Sequence, residues 1–219
     1  QYIGFSKNSR NAACFDITPY VKKGNNQVAV EVYRSSDGSF LESQDMFRLA
    51  GIFRTVAIYS TPKAQIRDLV ALPDLDSSYT DGTLTIKADI RNFGKKSIKG
   101  YSVVYSLYAN ELYSDNNTLV SGISARAKIG EVKTSDNIAA EEVVLSLKNP
   151  NKWSAELPYR YTLVAELKDK KDRTIETVST YVGFRKVEIK DTPAEEDEYG
   201  MAGRYYYVNG KTVKLKGVN

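Results

Sequence analysis

Hydrophobic and polar residues alternate with a period of two along much of the 219-residue chain. Such a period places successive side chains on opposite faces of an extended strand. No window keeps a 3.6-residue period over three turns, so the pattern predicts a nearly helix-free protein. The alternating runs are Val28, Val30 and Val32; Leu84, Ile86, Ala88 and Ile90; Tyr101, Val103, Tyr105 and Leu107; Val143, Leu145 and Leu147; and Tyr161, Leu163, Ala165 and Leu167.

Turn-forming residues separate these predicted strands. Asn209-Gly210, between two β-rich runs, is the strongest hairpin signal in the chain, because both residues tolerate positive φ. The polar run at residues 169–172 predicts a second hairpin. Strands that recur with turns between them favour antiparallel sandwiches.

Two breaks divide the chain into three expected parts. Pro62 follows a predicted strand over residues 53–60, and proline cannot continue a central ladder. The second break, at 191–203, contains Pro193 and an acidic run that we interpret as a solvated loop. We expect the C-terminal part of a β domain at 1–61 and a complete seven-stranded immunoglobulin-like sandwich at 62–190. Residues 191–219 then form a linker and hairpin that lead into a part the chain does not contain.

Composition narrows the classes of function. The net charge is +4, and acidic and basic residues are interleaved, so no basic stripe predicts nucleic-acid binding. Without histidine, neither a Ser-His-Asp triad nor a histidine metal site can form. The single cysteine, Cys14, allows no intrachain disulfide and is expected to be buried. No run approaches the ~18 apolar residues of a membrane span.

The long segment at residues 35–54 is the main candidate for chemistry, since long loops in compact domains are often functional. Carboxylates can accept hydrogen bonds from sugar hydroxyls, and aromatic rings can pack on a pyranose. The same composition also fits an ordinary loop with solvated charges and core-anchoring rings. A glycosidase carboxylate pair within one loop is not expected, because such pairs need rigid support. The residues concerned are Asp37, Phe40, Glu42, Asp45, Met46, Phe47 and Phe53.

Residues 33–54, YRSSDGSFLESQDMFRLAGIFR, resemble the sugar-binding domain of glycoside hydrolase family 2 β-galactosidases. Phe47 stands where that family commonly has Trp, and Ser43 where it has Asp. Further blocks resemble the same family and follow its order over nearly the whole chain. They are GFSKNSR at 4–10 with FDIT at 15–18, WSAE at 153–156 with YTL at 161–163, and GFRKV at 183–187 with VNGK at 208–211 and KGVN at 216–219.

The resemblance implies an all-β chain: a partial jelly-roll sugar-binding domain followed by an immunoglobulin-like β-sandwich. The family's catalytic TIM barrel is expected to be absent, with only its lead-in present. Both catalytic glutamates of the family lie on that barrel, so the chain is expected to hold no catalytic residue. We therefore expect a fragment of a retaining β-galactosidase that hydrolyses nothing by itself.

One residue carries a site role by resemblance. Asp45 is expected to contact the galactose and to ligate a sodium ion in the intact enzyme. The fragment itself is expected to hold no cofactor, while sodium and magnesium are implied for the intact enzyme. The expected partners are a β-galactoside, the catalytic barrel and further copies in a homo-oligomer, with neither nucleic acid nor membrane. The sequence assigns no compartment, cytoplasmic or periplasmic.

Three alternatives stay open at this point. The chain could be a non-catalytic carbohydrate-binding module, a scaffolding sandwich, or part of a related family 2 glycosidase such as a β-glucuronidase. Trp153 is interpreted as a packing anchor rather than a sugar platform. Residues 1–61 are expected to expose strand edges and an apolar face, and therefore to self-associate or to be disordered.

Overall fold

The structure is a computed structural model that describes residues 1–7, 11–42, 50–197, 199–213, 215 and 217. The chain is nearly all β, as the alternating pattern predicted. It divides into two compact units, Gln1–Tyr59 and Ser60–Asn219.

In the described residues of the first unit, the one regular element is a short helix, α1, at Ser39–Glu42. The strands predicted around Val28–Val32 and over residues 53–60 are not found there. Alternation identifies a segment that suits a sheet, but a strand also needs a neighbour for its backbone N–H and C=O groups. Val30 and Ile58 are 57% and 71% exposed. Cys14 is exposed too, so its predicted burial was wrong.

The second unit begins with a β-sandwich of two sheets. One sheet has the order β1-β2-β5, with β6 also paired to β2, and the other has the order β4-β3-β7-β8. All pairs within both sheets are antiparallel. The strands are β1 Ala64–Leu75, β2 Gly82–Asn92, β3 Ser102–Asn110, β4 Asn117–Lys128, β5 Asn137–Ala139, β6 Val143–Leu147, β7 Tyr161–Lys168 and β8 Thr174–Val182.

Strands β5 and β6 occupy two halves of one edge position. Ile138 of β5 pairs with Ile90, and Leu145 of β6 pairs with Leu84, both on β2. Since β1 already occupies the other side of β2, both short strands must lie on the same side. The eight described strands of the sandwich therefore occupy seven positions in the two sheets.

The core of the sandwich lies between the two sheets. One face of β2 and one face of β7 contribute side chains that are almost fully buried, as period-two alternation requires. The opposite faces carry polar side chains that stay accessible. Asp169 caps the hairpin after β7: its carboxylate accepts hydrogen bonds from the Lys171 and Arg173 N–H groups at 2.8 and 3.0 Å. The largest buried side chains are Tyr105, Phe184, Leu75, Leu84, Ile86, Ile90, Leu107, Leu163 and Leu167.

A separate three-stranded sheet follows the sandwich. Its strands are β9 Val187–Thr192, β10 Gly203–Val208 and β11 Lys211–Val213, in the order β11-β10-β9. The expected boundary near residue 190 falls inside β9, which pairs with β10 and with neither sandwich sheet. The predicted Asn209-Gly210 hairpin is confirmed, with φ values of 51° and 77°. A short 3₁₀ helix at Ala194–Glu196 carries the exposed Glu195 and Glu196 of the acidic run.

Candidate functional site

Two contacts in the first unit bring together blocks that are distant in the sequence. A side-chain carbon at Gly4 would lie 2.7 Å from the ring of Phe15, so the absence of one lets that ring pack on the backbone. The Lys7 ammonium lies 2.6 Å from a carboxylate oxygen of Asp37. The residues near 4–7, 15 and 37 therefore form one locally connected structure.

A compact turn leads from Asp37 into α1. The Ser36 N–H donates to Ser39 Oγ at 2.9 Å, and the Ser39 N–H donates to the Ser36 carbonyl at 3.0 Å. Serine favours such turns because its short hydroxyl competes with the backbone as a hydrogen-bond partner. The reciprocal bonds fix the chain direction where the long segment at 35–54 begins.

Asp37 is the acidic residue of this segment whose side chain the structure describes. The hydrogen bond from Lys7 is the main cause that lowers the pKa of the Asp37 carboxyl from its ordinary value. Backbone hydrogen bonding at Asp37 lowers it further. A carboxylate held in its charged form by a lysine cannot act as a general acid near neutral pH. Asp37 therefore serves to tie the segment to residue 7.

The structure does not describe the residue that the resemblance assigned to the site. Asp45, Met46 and Phe47 lie outside the described residues, and so does the side chain of Glu42. Of the aromatic rings predicted to suit a sugar, Phe40 is 86% exposed. Phe53 is also exposed and has the Arg54 guanidinium 5.5 Å from its ring centroid.

No described part of the chain gathers three or more acidic or cysteine side chains that could hold a metal ion. A hard cation needs several oxygen ligands around it, and a single carboxylate does not supply them. Asp45, the residue implied as a sodium ligand, lies outside the described residues, so we derive no chemical step through either ion. Among those residues, no helix has the length and apolarity that a membrane span needs.

In the second unit, Trp153 joins three segments. Its backbone N–H donates to the Phe184 carbonyl at 2.9 Å, and its backbone carbonyl accepts from Asn209 Nδ2 at 3.0 Å. A side-chain carbon at Gly183 would lie 3.2 Å from Trp153, so glycine permits the close approach. The Arg185 guanidinium stacks 4.3 Å from the ring centroid. Trp153 is thus a packing anchor, as predicted.

Sequence reasoning missed a polar cluster between the sandwich and the three-stranded sheet. The Tyr79 hydroxyl donates to Glu188 at 2.6 Å and accepts from the Lys190 ammonium at 2.6 Å. Lys190 also lies 3.0 Å from the Glu188 carboxylate. The alternation of residues 186–192 could have revealed strand β9, but nothing in the sequence points to its partner on the β1–β2 hairpin.

Two protein-family models match the chain. The family model described as "Glycosyl hydrolases family 2, sugar binding domain" matches residues 1–62. The model described as "Glycosyl hydrolases family 2" matches residues 64–185.

The chain belongs to glycoside hydrolase family 2.

Curated relatives in this family include proteins named β-galactosidase. The one from Priestia megaterium (strain DSM 319 / IMG 1521) is 39% identical over the whole of this chain. The one from Oenococcus oeni (strain ATCC BAA-331 / PSU-1) is 38% identical, again over the whole chain. In both cases the chain spans 19% of the relative's length.

Solved structures agree with the family 2 fold. A β-glucuronidase from Bacteroides uniformis matches with a TM-score of 0.69 and covers 93% of this chain, which corresponds to 23% of that protein. The sequence identity is 18%, so this likeness shows the fold alone.

Proposed function

We propose that this chain is part of a longer retaining β-galactosidase that hydrolyses terminal, non-reducing β-D-galactosides. The observation that supports it is the 39% identity with a protein named β-galactosidase, which extends over the whole chain. The chain then supplies a sugar-binding part at 1–61, a sandwich at 62–190 and a lead-in at 191–219. Catalysis belongs to a barrel outside it, and a homo-oligomer is the proposed assembly.

In a retaining glycosidase, one carboxylate attacks the anomeric carbon and another protonates the leaving oxygen. The two groups are only about 5–5.5 Å apart. We assign neither role to this chain. We assign Asp45 to substrate binding, where its carboxylate would accept hydrogen bonds from galactosyl hydroxyls and hold the ring in a reactive orientation.

The test uses the complete protein, purified from a host that lacks β-galactosidase. We expect it to hydrolyse a nitrophenyl β-galactoside and to leave the matching β-glucuronide intact. Asp45→Asn should lower kcat/KM by about 10- to 100-fold, as loss of a positioning contact does. Asp115→Asn, at an exposed position in the β3–β4 connection, is the matched control and should change nothing.

Three experimental results would each contradict one part of the proposal. Preference for the glucuronide would make the protein a related glycosidase rather than a galactosidase. Unchanged kinetics in Asp45→Asn would remove the role of that residue. Turnover by the isolated 219-residue chain would show that we have misplaced the catalytic carboxylates.

A further inference from the structure

Asn209, in the turn between β10 and β11, is bound through its backbone and through both ends of its side chain. Its backbone N–H donates to the Lys186 carbonyl at 2.9 Å, and its Oδ1 accepts from the Lys186 N–H at 2.9 Å. Its Nδ2 donates to the Trp153 backbone carbonyl at 3.0 Å. The carboxamide therefore joins the turn to segments that lie 23 and 56 positions earlier in the chain.

The residue that follows makes this carboxamide chemically vulnerable. Gly210 has no side chain, so its backbone nitrogen can approach the Asn209 Cγ without steric hindrance. When that nitrogen attacks, a new N–C bond forms, the C–Nδ2 bond breaks and ammonia leaves with the proton of the Gly210 N–H. Water then adds to either carbonyl of the resulting succinimide and opens it to aspartate or isoaspartate. Asn209-Gly210 is the only Asn-Gly pair in the sequence.

The folded turn opposes this attack. The Cγ can reach the Gly210 nitrogen only after the side chain turns away from Lys186 and Trp153, which breaks both of its hydrogen bonds. Ladder pairs on both sides of the turn hold the backbone in place. The Tyr79 ring covers Gly210, where an added side-chain carbon would lie 2.5 Å from the ring. Succinimide formation therefore requires the turn to open.

We propose that Asn209 is a deamidation site that the fold keeps unreactive and that local opening of the β10–β11 hairpin exposes. Segments of a native protein open locally at a lower free energy than global unfolding requires. The hairpin therefore reaches the reactive state while the rest of the protein stays folded. The inference is independent of the proposed function, because no step involves a sugar or a catalytic group.

The products do not fit the place that the asparagine occupies. Aspartate has no N–H in the position of Nδ2, so the Trp153 carbonyl loses its donor and faces a carboxylate oxygen instead. A carbonyl that loses its partner in a partly buried place destabilises the fold. Isoaspartate, in addition, lengthens the backbone of the turn. Deamidation should therefore loosen β9–β11 irreversibly.

The test measures deamidation of the complete protein by peptide mass spectrometry during incubation at mildly alkaline pH. The reference is a synthetic peptide with the sequence of residues 205–213, which has no fold to protect it. We expect Asn209 to deamidate at least about tenfold more slowly in the complete protein. Tyr79→Ala uncovers Gly210 and removes the hydroxyl that binds Glu188 and Lys190, so it should raise the rate in the complete protein by about three- to tenfold.

Tyr113→Ala is the matched control for this substitution. Tyr113 also has a positive φ, 62°, but it is 88% exposed in the β3–β4 connection, so the rate at Asn209 should not change. Asn209→Asp tests the consequence: amide hydrogen exchange of β9–β11 in the complete protein should become about tenfold faster. Asn117→Asp, at an exposed position on the edge strand β4, should leave that exchange unchanged.

Three results would overturn the proposal. Equal deamidation rates in the peptide and the complete protein would show that the fold does not protect Asn209. A Tyr79→Ala protein that deamidates no faster than Tyr113→Ala would show that the reaction does not depend on the covered turn. Unchanged exchange in Asn209→Asp would show that the turn tolerates the product. The first comparison uses no variant, so it decides the matter even where a substitution prevents folding.

Discussion

Replacement of Phe184 by alanine should remove the main link between the sandwich core and the segment that follows it. The Phe184 side chain is 0% exposed. Its ring meets Tyr161 edge-to-face, with centroids 5.4 Å apart. It also packs on Gly82, where an added side-chain carbon would lie 2.8 Å from the ring. All three residues belong to the second unit, so the substitution tests packing within it.

The expected loss is about 4 kcal/mol in the free energy of unfolding. Deletion of a buried phenylalanine ring costs about 3–5 kcal/mol, because the cavity closes only in part. The edge-to-face contact accounts for about 0.5–1.5 kcal/mol beyond burial. For a unit of this size, each kcal/mol corresponds to about 2–4 °C, so Tm should fall by about 8–16 °C.

Urea unfolding followed by tryptophan fluorescence is the direct assay. Trp153 is the only tryptophan in the sequence, and its backbone N–H donates to the Phe184 carbonyl, so the signal reports on this region. Phe93→Ala is the matched control: Phe93 is 51% exposed and has the Arg91 guanidinium 4.6 Å from its ring centroid, so its loss should cost about 1 kcal/mol. Equal effects of the two substitutions would refute the reasoning.

A double substitution checks the cause. Gly82→Ala alone should destabilise by about 1–3 kcal/mol, because the new methyl group overlaps the Phe184 ring and Pro150. In the Phe184→Ala background the ring is gone, so the same substitution should cost less, with a coupling energy of about 1 kcal/mol. Additive effects would show that the two positions do not share the packing described.

Two further predictions concern a buried hydroxyl and a turn. No described group hydrogen-bonds the buried Tyr105 hydroxyl, and burial raises its pKa to about 12. The unfolded chain therefore loses this proton first as pH rises from about 10, so Tyr105 costs stability between pH 10 and 12. Tyr105→Phe should remove that loss and stabilise the protein by about 1 kcal/mol at pH 7. Urea titrations that show a destabilised variant at pH 7 and above pH 10 would contradict this. Gly210→Ala should destabilise more than Gly122→Ala in thermal melts, because φ is positive at both glycines but only Gly210 lies against a ring, that of Tyr79; equal losses would exclude the steric cause.

The sequence by itself determined most of the sandwich and both hairpins. Leu84, Ile86 and Ile90 alternate with polar residues. This pattern is sufficient to predict the strand because one face of β2 is buried and the other is accessible to solvent. Asn209 and Gly210 predicted their turn because few other residues tolerate positive φ at both positions. The ordered blocks also identified the family, since they resemble stretches of a known enzyme class.

Tertiary structure decided which strands have partners. Val28, Val30 and Val32 recur with a period of two, as Leu84, Ile86 and Ala88 do, yet the described part of their unit contains no ladder. Pairing depends on a neighbour that may lie anywhere in the chain or outside it, and local alternation carries no information about that neighbour.

The polar contacts of β9 were decided in the same way. Glu188 and Lys190 read as ordinary surface charges, but the fold places them against Tyr79, more than a hundred positions earlier. Residue types along a strand give its period, and only the packing of distant segments determines which face is covered.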